Sequence, residues 1–419
     1  MLSSKAGVDH VLRQFANKRV LIRVDFNVPI KEGKVKNATR IQGAIPTIKK
    51  ILEQNPKNVT LMSHMGRPDG KRFEKDSLKI VVPKLEELLG TKINFVNDCV
   101  GSEATEAANA GNGQINLLEN LRFHIQEEGK GLDANGAKIK ADKESVKKFR
   151  KELSALGDIY VNDAFGTAHR AHSSMVGIDH KVRVAGYLMK KELDYFSKAL
   201  ETPQRPFLVI LGGAKVADKI QLIKSMLDKV DEMIIGGGMA FTFLKKIHNV
   251  PIGKSLFDEE GYKIVDEILT KAKERNVKIH LPVDFVCGTG LEASSPVALH
   301  DLKSGIPDGW LGLDAGQLTQ RENAEAIGRA KTIVWNGPQG AFEIEQFKNG
   351  SVSMLNALVK QTSSGATTIV GGGDTVNLVG ANKANDKLSH VSTGGGASLE
   401  LLEGKILPGV EYLTNIKDL

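Results

Sequence analysis

Short apolar runs alternate with longer amphipathic stretches along the whole chain. In the first half the runs lie at 18–29, 58–64, 115–123 and 158–165. Each run ends in polar residues or a turn, as a buried strand does. The stretches 44–54 and 77–90 repeat apolar residues at spacings of three and four, which is typical of an amphipathic helix. This alternation predicts an α/β fold with parallel sheets covered by helices on both faces.

A chain of 419 residues exceeds what one hydrophobic core usually supports, so two domains are expected. The segment 187–201 has helical periodicity and precedes TPQRP, whose two prolines end a helix. We therefore predict two doubly wound, Rossmann-like domains joined by a helix and hinge. The predicted boundaries are 1–186, 187–203 for the helix, and 204–405. The alternative is one more crossover helix inside a single large sheet.

In the second half, four apolar runs end in clustered glycines. They read LVILGGAK (208–215), MIIGGGMA (233–240), TIVGGGDT (368–375) and VSTGGGAS (391–398). Glycine lets the backbone turn with positive φ, and a helix that starts there offers unpaired N–H donors to an anion. Four such turns predict a polyphosphate site, although each also fits a tight strand-to-helix connection without a ligand.

Polar side chains follow the strands of the first half. They are Asp25, Asn27, His64, Arg67, Arg122, Asn162 and Asp163. Ligands of open α/β sheets bind at the carboxyl ends of the strands, so these side chains mark a second candidate site.

The net charge of +7 is unevenly distributed. Residues 1–190 hold 32 Lys and Arg against 22 Asp and Glu, whereas the remainder is slightly acidic. A basic half fits nucleic acid, an anionic membrane or a small anion. Aromatic residues make up only 5% of the chain and the lysines are scattered, so a small anionic substrate is favoured over nucleic acid.

The sequence also predicts where the protein works. No run approaches the roughly 18 apolar residues that a membrane helix needs, and the first residues lack a secretory apolar region. A cytoplasmic protein without membrane contact is expected. Cys99 and Cys287 are the two cysteines, and they are far apart, which predicts buried thiols rather than a disulfide framework or a zinc site.

Familiar nucleotide motifs are excluded one by one. Gly253-Lys254-Ser255 ends like a P-loop, but His248 occupies the position of the first required glycine. The segment 288–293 matches a dinucleotide fingerprint, yet Ser294-Ser295-Pro296 follows where a helix would have to begin. We interpret that match as coincidence. An NAD-dependent dehydrogenase is the rival function that it would support.

Eight longer motifs point to one family. They are RVLIRVDFNVP (19–29), SHMGRPDG (63–70), LLENLRFH (117–124), NDAFGTAHRAHSS (162–174), LGGAKVADKI (211–220), VWNGPQGAFE (334–343), GGGDT (371–375) and STGGGASLELLEGK (392–405). In order and spacing they resemble phosphoglycerate kinase. The departures are Met65 and Ala341, where Leu and Val are expected. The resemblance implies reversible phosphoryl transfer from 1,3-bisphosphoglycerate to Mg-ADP, giving 3-phosphoglycerate and ATP in glycolysis and gluconeogenesis.

The resemblance places the phosphorylated acid substrate on the first domain. The implied contacts are Asp25, Phe26, Asn27, Arg40, His64, Met65, Gly66, Arg67, Arg122, His169 and Arg170. Arginine suits this task because its planar fork binds phosphate or carboxylate through two hydrogen bonds and stays charged. Asp25 and Asn27 are expected to orient the substrate hydroxyl, while Asn162 and His172 are expected to be scaffold.

The nucleotide is implied to bind the second domain. The implied contacts are Gly212, Gly213, Lys215, Lys219, Gly236, Gly237, Gly238, Gly312, Asn336, Glu343, Gly372, Gly373, Asp374 and Thr375. Asp374 is the implied ligand of Mg²⁺, the one cofactor expected. Arg40, Lys215, Gly372 and Gly395, with the amides of 394–396, are the implied catalytic groups.

The chemistry needs no general base, because the acceptor is a carboxylate already ionised at neutral pH. We therefore expect direct in-line transfer without a covalent intermediate, after a hinge closure that involves 187–201 and 392–405. The resemblance also implies a monomer whose tail, 406–419, returns to the first domain. The second alternative is a non-catalytic protein that keeps the kinase fold and only binds partners. Such a protein would have lost the charged residues of the site, which are present here.

Overall fold

A computed structural model describes residues 1–419, and each of two units contains its own parallel sheet. Unit 1 comprises Met1–Asp194 together with Ile406–Leu419, and unit 2 comprises Tyr195–Lys405. The division falls inside the helix Tyr187–Leu200, within the segment that the sequence predicts to connect two domains.

Ten short strands belong to unit 1. They are β1 (Arg19–Arg23), β2 (Ile30–Lys31), β3 (Lys34–Val35), β4 (Asn58–Met62), β5 (Ile93–Val96), β6 (Ile115–Leu118), β7 (Lys130–Leu132), β8 (Lys138–Lys140), β9 (Ile159–Asn162) and β10 (Arg183–Ala185). Six form one sheet in the order β10-β9-β1-β4-β6-β5, with parallel pairing throughout. The pairs β2-β3 and β7-β8 are antiparallel hairpins.

Helices cover both faces of this sheet. They are α1 (Thr39–Leu52), α2 (Val82–Leu89), α3 (Ser102–Asn109), α4 (Ile125–Glu128), α5 (Lys143–Ser154), α6 (Ser173–Val176), α7 (Tyr187–Leu200) and, from the tail, α15 (Pro408–Glu411). Strand β1 shows the doubly wound arrangement directly. Val20 and Ile22 pack in one core cluster with Ile48 of α1, while Leu21 packs in a second cluster with Phe149 of α5. Alternate side chains of a strand point to opposite faces, so both faces are buried.

The strands of unit 2 form a parallel sheet and a smaller antiparallel one. They are β11 (Phe207–Leu211), β12 (Glu232–Ile235), β13 (Lys278–His280), β14 (Asp284–Gly288), β15 (Val297–Asp301), β16 (Leu311–Ala315), β17 (Thr332–Asn336), β18 (Thr367–Gly371) and β19 (His390–Val391). The parallel sheet has the order β13-β12-β11-β17-β18-β19, and the antiparallel sheet has the order β15-β14-β16. The α/β prediction is confirmed.

The helices of unit 2 follow its strands. They are α8 (Ile220–Leu227), α9 (Ala240–His248), α10 (Glu259–Glu274), α11 (Gln317–Arg329), α12 (Asn349–Ser363), α13 (Gly373–Ala381) and α14 (Gly396–Leu402). Three of the four glycine turns lead directly into a helix, at Ala240, Gly373 and Gly396. The turn after β11 does not, because a 3-10 turn, Ala217–Lys219, precedes α8.

The structure also bears on the dinucleotide-like match, the two cysteines and the prediction of no membrane helix. Strand β14 ends at Gly288 and pairs antiparallel with β15 and β16, so no helix follows the dinucleotide-like match. Cys99 and Cys287 are free and buried, as predicted. None of the helices combines the length and the apolar character that crossing a membrane requires.

Candidate active site

The predicted acid-substrate residues of unit 1 lie at one edge of its sheet. Strands β9, β1, β4 and β6 are neighbours in the parallel sheet. Their carboxyl ends therefore meet, and with them the residues that follow each strand. Asp25 and Asn27 follow β1, His64 and Arg67 follow β4, and Arg122 follows β6.

A buried arginine that is not among the predicted site residues contacts His64 from the protein interior. Arg23, the last residue of β1, is completely buried. Its guanidinium donates to Ser174 Oγ at 2.9 Å, to the carbonyl of Val24 at 2.5 Å and to His64 Nδ1 at 3.0 Å. Because a guanidinium can only donate, His64 Nδ1 must accept. The proton of His64 is therefore on Nε2, which becomes a neutral donor.

Two histidines of this site remain neutral. Burial lowers the pKa of His64 well below its usual value, and the positive charges of Arg23 and Arg122 lower it further. The pKa of His172 falls to about 3, again chiefly through burial and then through Arg122 and Arg23. The positive charge of the site is therefore carried by its arginines.

One carboxylate is buried among these cations. Glu127 is 1% exposed and accepts from the Ser174 amide at 3.0 Å and from its hydroxyl at 2.5 Å. Burial raises the pKa of Glu127, while the charge of Arg23 and the bonds from Ser174 oppose that rise. Arg23, Ser174 and Glu127 thus form a polar scaffold under His64.

Arg122 is oriented by backbone and carboxylate together. Its Nη1 donates to the carbonyl of Gly66 at 3.0 Å, and its Nε lies 3.8 Å from Glu128 Oε1. Gly66 adopts φ +63°, and a Cβ there would lie 2.6 Å from Asp76 Oδ1. The turn that carries Arg122's acceptor therefore requires glycine.

Arg40 stands near the start of α1 with its side chain 44% exposed. Its Nη1 donates to the carbonyl of Asn27 at 2.9 Å and lies 3.4 Å from Asp25 Oδ1. The amide oxygen of Asn27 also accepts from the Gly66 N–H at 3.0 Å. In this structure Asp25 and Asn27 thus hold Arg40 and Gly66, in addition to any contact with a substrate hydroxyl.

Of the remaining predicted substrate contacts in unit 1, some are exposed to solvent and others are buried. Arg67 and Arg170 are exposed and His169 is half-exposed. Arg67 is a charged neighbour that lowers the pKa of Arg122, and Arg170 and His169 do the same for His172, so the structure brings this set together. Phe26 and Met65 are 0% and 3% exposed, and their backbone N–H groups donate to Ser63 Oγ at 2.9 Å and to Asn120 Oδ1 at 3.2 Å. In this structure neither residue offers a free group to a substrate.

In unit 2, the backbones after two neighbouring strands approach so closely that both strand ends need glycine. A Cβ on Gly212 would lie 2.0 Å from the carbonyl of Pro338, and Gly337 has φ +106° with its own Cβ position 2.3 Å from the Gly212 carbonyl. Strands β11 and β17 are neighbours, so their turns touch. The close approach of these two turns is the reason that position 212 must be glycine. The turn after β11 therefore lies at the edge of the sheet.

The glycines predicted to line the nucleoside also have partners inside the unit. A Cβ on Gly236 would lie 1.9 Å from Gln339 Oε1, and one on Gly237 would lie 2.9 Å from the nitrogen of Gly213. At Gly238 and Gly312 the neighbours would be Leu256 and Phe241 side chains, at 2.5 and 2.1 Å. At Gly236, Gly237 and Gly312 a side chain would collide with buried groups or backbone, whereas Leu256, the neighbour of Gly238, is 54% exposed and can move aside.

The two predicted lysines differ in their surroundings. Lys219 donates to Asn336 Oδ1 at 2.5 Å. Burial lowers its pKa, and the carboxylates of Asp374 and Glu403 oppose that change, so Lys219 lies within the field of Asp374. Lys215 is exposed and makes no hydrogen bond or ion pair. Asn336 is therefore a support for Lys219.

Helix α13 begins with an uncapped amino end. Its N-cap is Gly372, with φ +90° and no capping side chain, so the first N–H groups lack partners within the helix. Asp374 in the first turn is exposed. Thr375, another implied nucleotide contact in this turn, has a fully buried side chain whose Oγ1 accepts from the Gly337 N–H at 2.8 Å.

This helix end suits a nucleotide with its metal ion. An exposed carboxylate beside unpaired N–H donors is the arrangement in which Mg²⁺ takes one protein ligand and several phosphate or water oxygens. Asp374 fits that role, and Gly373 beside it is exposed. At the neighbouring glycine turn, the Gly394 N–H already donates to Ser392 Oγ at 3.1 Å, leaving Gly395, with φ +49°, at the start of α14. Glu343, the predicted ribose contact, is exposed.

Comparison with known proteins decides the family. The family model for phosphoglycerate kinase matches residues 9–405. The chain belongs to the phosphoglycerate kinase family. It is 94% identical over 367 residues to a phosphoglycerate kinase of Paramecium primaurelia, covering 88% of this chain and 100% of the relative. It is 72% identical over 420 residues to that of Tetrahymena thermophila, covering 100% of both chains.

Solved structures from the phosphoglycerate kinase family have the same fold. The enzyme from Coxiella burnetii superposes with a TM-score of 0.84 at 40% identity, covering 95% of this chain and 96% of the other. The enzyme from Pyrococcus horikoshii gives 0.73 at 29% identity, with coverage of 95% and 96%.

Arg23, Glu127 and Ser174 belong to the site of this phosphoglycerate kinase family member but are not among the residues predicted from its sequence. Arg23 sits in the run RVLIRV, and a charge inside a strand that is otherwise apolar was the available signal. Such a charge is rarely buried without a partner, so it predicts a polar network beneath the strand end. Glu127 lies in a polar segment and gives no comparable signal.

The low pKa of His172 predicts a steep loss of stability in acid. The unfolded chain binds a proton at this residue below about pH 6.5, whereas the folded chain stays neutral there to about pH 3. The free energy of unfolding should therefore fall through this window by up to about 1.4 kcal/mol per pH unit from this residue alone. Urea unfolding across pH should show a shallower decline for His172→Gln. An identical slope in both proteins would contradict the assignment, whatever their difference at neutral pH.

Proposed function

We propose that this chain catalyses reversible phosphoryl transfer from 1,3-bisphosphoglycerate to Mg-ADP, giving 3-phosphoglycerate and ATP. Membership of the phosphoglycerate kinase family supports the reaction. The observation that carries the mechanism is the cluster of arginines at the sheet edge of unit 1, built over Arg23 and His64. An anionic substrate would relieve the repulsion between the positive charges of this cluster.

Unit 1 binds the phosphorylated acid. Arg122, Arg67 and Arg170 supply fixed positive charge and forked donors for phosphate. His64 adds a neutral donor from Nε2, because Arg23 occupies Nδ1. Asp25 and Asn27 orient the substrate hydroxyl while they hold Arg40 in place.

Unit 2 binds the nucleotide. Its phosphates lie against the first N–H groups of α13 and the amide of Gly213, with Lys219 held toward them by Asn336. Gly238, Gly312 and Glu343 receive the nucleoside. Asp374 would hold Mg²⁺, which would offset the charge of the phosphates.

The reaction is direct and in line. The carboxylate of 3-phosphoglycerate is ionised at neutral pH, so no residue has to remove a proton from it. The transition state is loose and spreads negative charge over the equatorial oxygens of the transferred group. Arg40, Lys215 and the amides of Gly372 and Gly395 stabilise that charge. The exposure of Lys215 and its lack of partners suit a side chain that follows the group in transit.

Transfer requires the two substrates to approach to roughly 3–3.5 Å, with water excluded. We propose that closure of unit 1 on unit 2 supplies this approach. Helix α7 is continuous through the division at Asp194 and Tyr195, and the chain passes again between the units after Lys405. These two crossings are the hinge elements. The proposal includes a monomeric, cytoplasmic enzyme that binds neither nucleic acid nor membranes.

The rival dehydrogenase has no support in the structure. The glycines at 288–290 lie between two antiparallel strands, where no helix begins to receive a pyrophosphate. A decayed, non-catalytic fold is disfavoured by the organised partners of Arg40, Arg122 and Lys219.

Replacing Lys215 tests the mechanism. In a coupled assay of 3-phosphoglycerate phosphorylation by Mg-ATP, Lys215→Ala should lower kcat about 10²–10³-fold, the usual cost of removing one donor to a transition-state charge. Its KM values should change little. Lys360→Ala, at an exposed lysine of the same unit, is the control and should keep full activity. Unchanged kcat in Lys215→Ala would remove this lysine from the mechanism, and an inactive wild-type protein would refute the proposed function.

Replacing Arg122 tests the assignment of substrates to units. Arg122→Lys keeps the charge but loses the fork that reaches the Gly66 carbonyl. The KM for 3-phosphoglycerate should rise about 10–100-fold, the equivalent of one charge-assisted hydrogen bond, while the KM for Mg-ATP stays within twofold. Arg13→Lys, at an exposed arginine of unit 1, is the matched control. Equal increases in both KM values would contradict the assignment.

A further inference from the structure

A cluster of three different metal-binding side chains lies outside the proposed active site. Asp98, Cys99 and His124 each offer one ligand atom, and these atoms all lie within 4.8 Å of one another. None has a role in the mechanism above. His124 ends the motif LLENLRFH, and Cys99 is one of the two cysteines of the chain.

The topology of the sheet explains why they meet. Strands β5 and β6 are parallel neighbours at the edge of the unit 1 sheet. Asp98 and Cys99 follow β5, and His124 follows β6 after the 3-10 turn Leu121–Phe123. Residues that are distant in sequence are therefore adjacent at the carboxyl end of this strand pair, which is why cysteine spacing does not predict the cluster.

We propose that Asp98, Cys99 and His124 form a binding site for a borderline-soft divalent metal ion, for which Zn²⁺ is the best match. A thiol, an imidazole and a carboxylate together make a donor set for this class of ion, whereas Mg²⁺ and Ca²⁺ prefer oxygen ligands alone. Three protein ligands leave the fourth tetrahedral position to water.

The geometry needs only small side-chain movements to reach coordination. Tetrahedral Zn²⁺ with bonds of about 2.0–2.3 Å separates its ligand atoms by roughly 3.3–3.7 Å. His124 Nε2 and Asp98 Oδ1 are now 2.6 Å apart and joined by a hydrogen bond. A bound metal ion would replace the proton that they share and the proton of the Cys99 thiol, and both protons would pass to solvent. Both side chains are partly exposed, at 29% and 43%, so they can rotate, whereas Cys99 is buried and fixed.

The surroundings support the ligand positions. The ring of Phe149 lies 5.4 Å from that of His124 and orients it. Arg72 is a cation beside Asn97, the residue before Asp98, and its guanidinium donates to the Asn97 carbonyl at 2.7 Å and lies 3.6 Å from Glu119 Oε2. Its charge is thus partly balanced, and the site remains suitable for a cation.

Cobalt titration tests this site. Full-length protein is first freed of metal by a chelator and then titrated with Co²⁺ without nucleotide, so that Asp374 has no phosphate partner. We expect one equivalent to bind with a thiolate-to-cobalt charge-transfer band in the near ultraviolet, and Zn²⁺ should abolish that band. Cys287→Ser, at the other buried cysteine, should retain the band, and His248→Asn, at an exposed histidine, should retain the affinity.

The ligand variants decide the outcome. Cys99→Ser should lose the charge-transfer band, and His124→Asn should bind Co²⁺ at least about tenfold more weakly. A wild-type protein without the band would overturn the proposal, as would a band that survives in Cys99→Ser. Should Cys99→Ser fail to fold by circular dichroism, His124→Asn and Asp98→Asn, at the two partly exposed ligands, decide instead. Unchanged affinity in both of those variants would equally refute the site.

Discussion

Parallel pairing of six strands in each unit sends the carboxyl end of every strand to the same sheet edge, and both halves of the proposed active site depend on this constraint. In unit 1 it gathers arginines from three separate stretches of chain around His64. In unit 2 it brings the turns after β11 and β17 into contact, and it places Lys219 near enough to Asp374 for that carboxylate to act on the pKa of Lys219. The separate cluster at Asp98, Cys99 and His124 arises from the same edge of the unit 1 sheet.

The arginines clustered in unit 1 repel one another, and this repulsion has to be limited while no substrate is bound. The structure provides it in two ways. His64 and His172 stay neutral because burial and the neighbouring arginines lower their pKa values. Glu127 is buried among the cations, where Arg23 counteracts the rise in pKa that burial causes. The remaining excess charge is available to an anionic substrate, and this links the packing of the strand ends to recognition.

The sequence predicts most of the fold and much of the candidate site. Apolar runs such as 19–23 and 207–211 predict strands because a parallel sheet buries both faces. Glycines were harder to interpret, since Gly236 and Gly312 are required by Gln339 and Phe241 inside the unit. Arg23 was missed because its partners are distant in sequence and only tertiary packing reveals them. Likewise, the burial of Thr375 follows from the neighbouring strand β17, which local sequence does not reveal.

The central claim is that the phosphoryl group passes directly from one substrate to the other, stabilised by positioned charges and without attachment to the enzyme. The stereochemical course of transfer tests it most directly. With a γ-phosphoryl group made chiral by oxygen isotopes, a single in-line displacement predicts inversion of configuration at phosphorus in the 1,3-bisphosphoglycerate formed. Retention would require two displacements through a phosphoenzyme, and it would contradict the account.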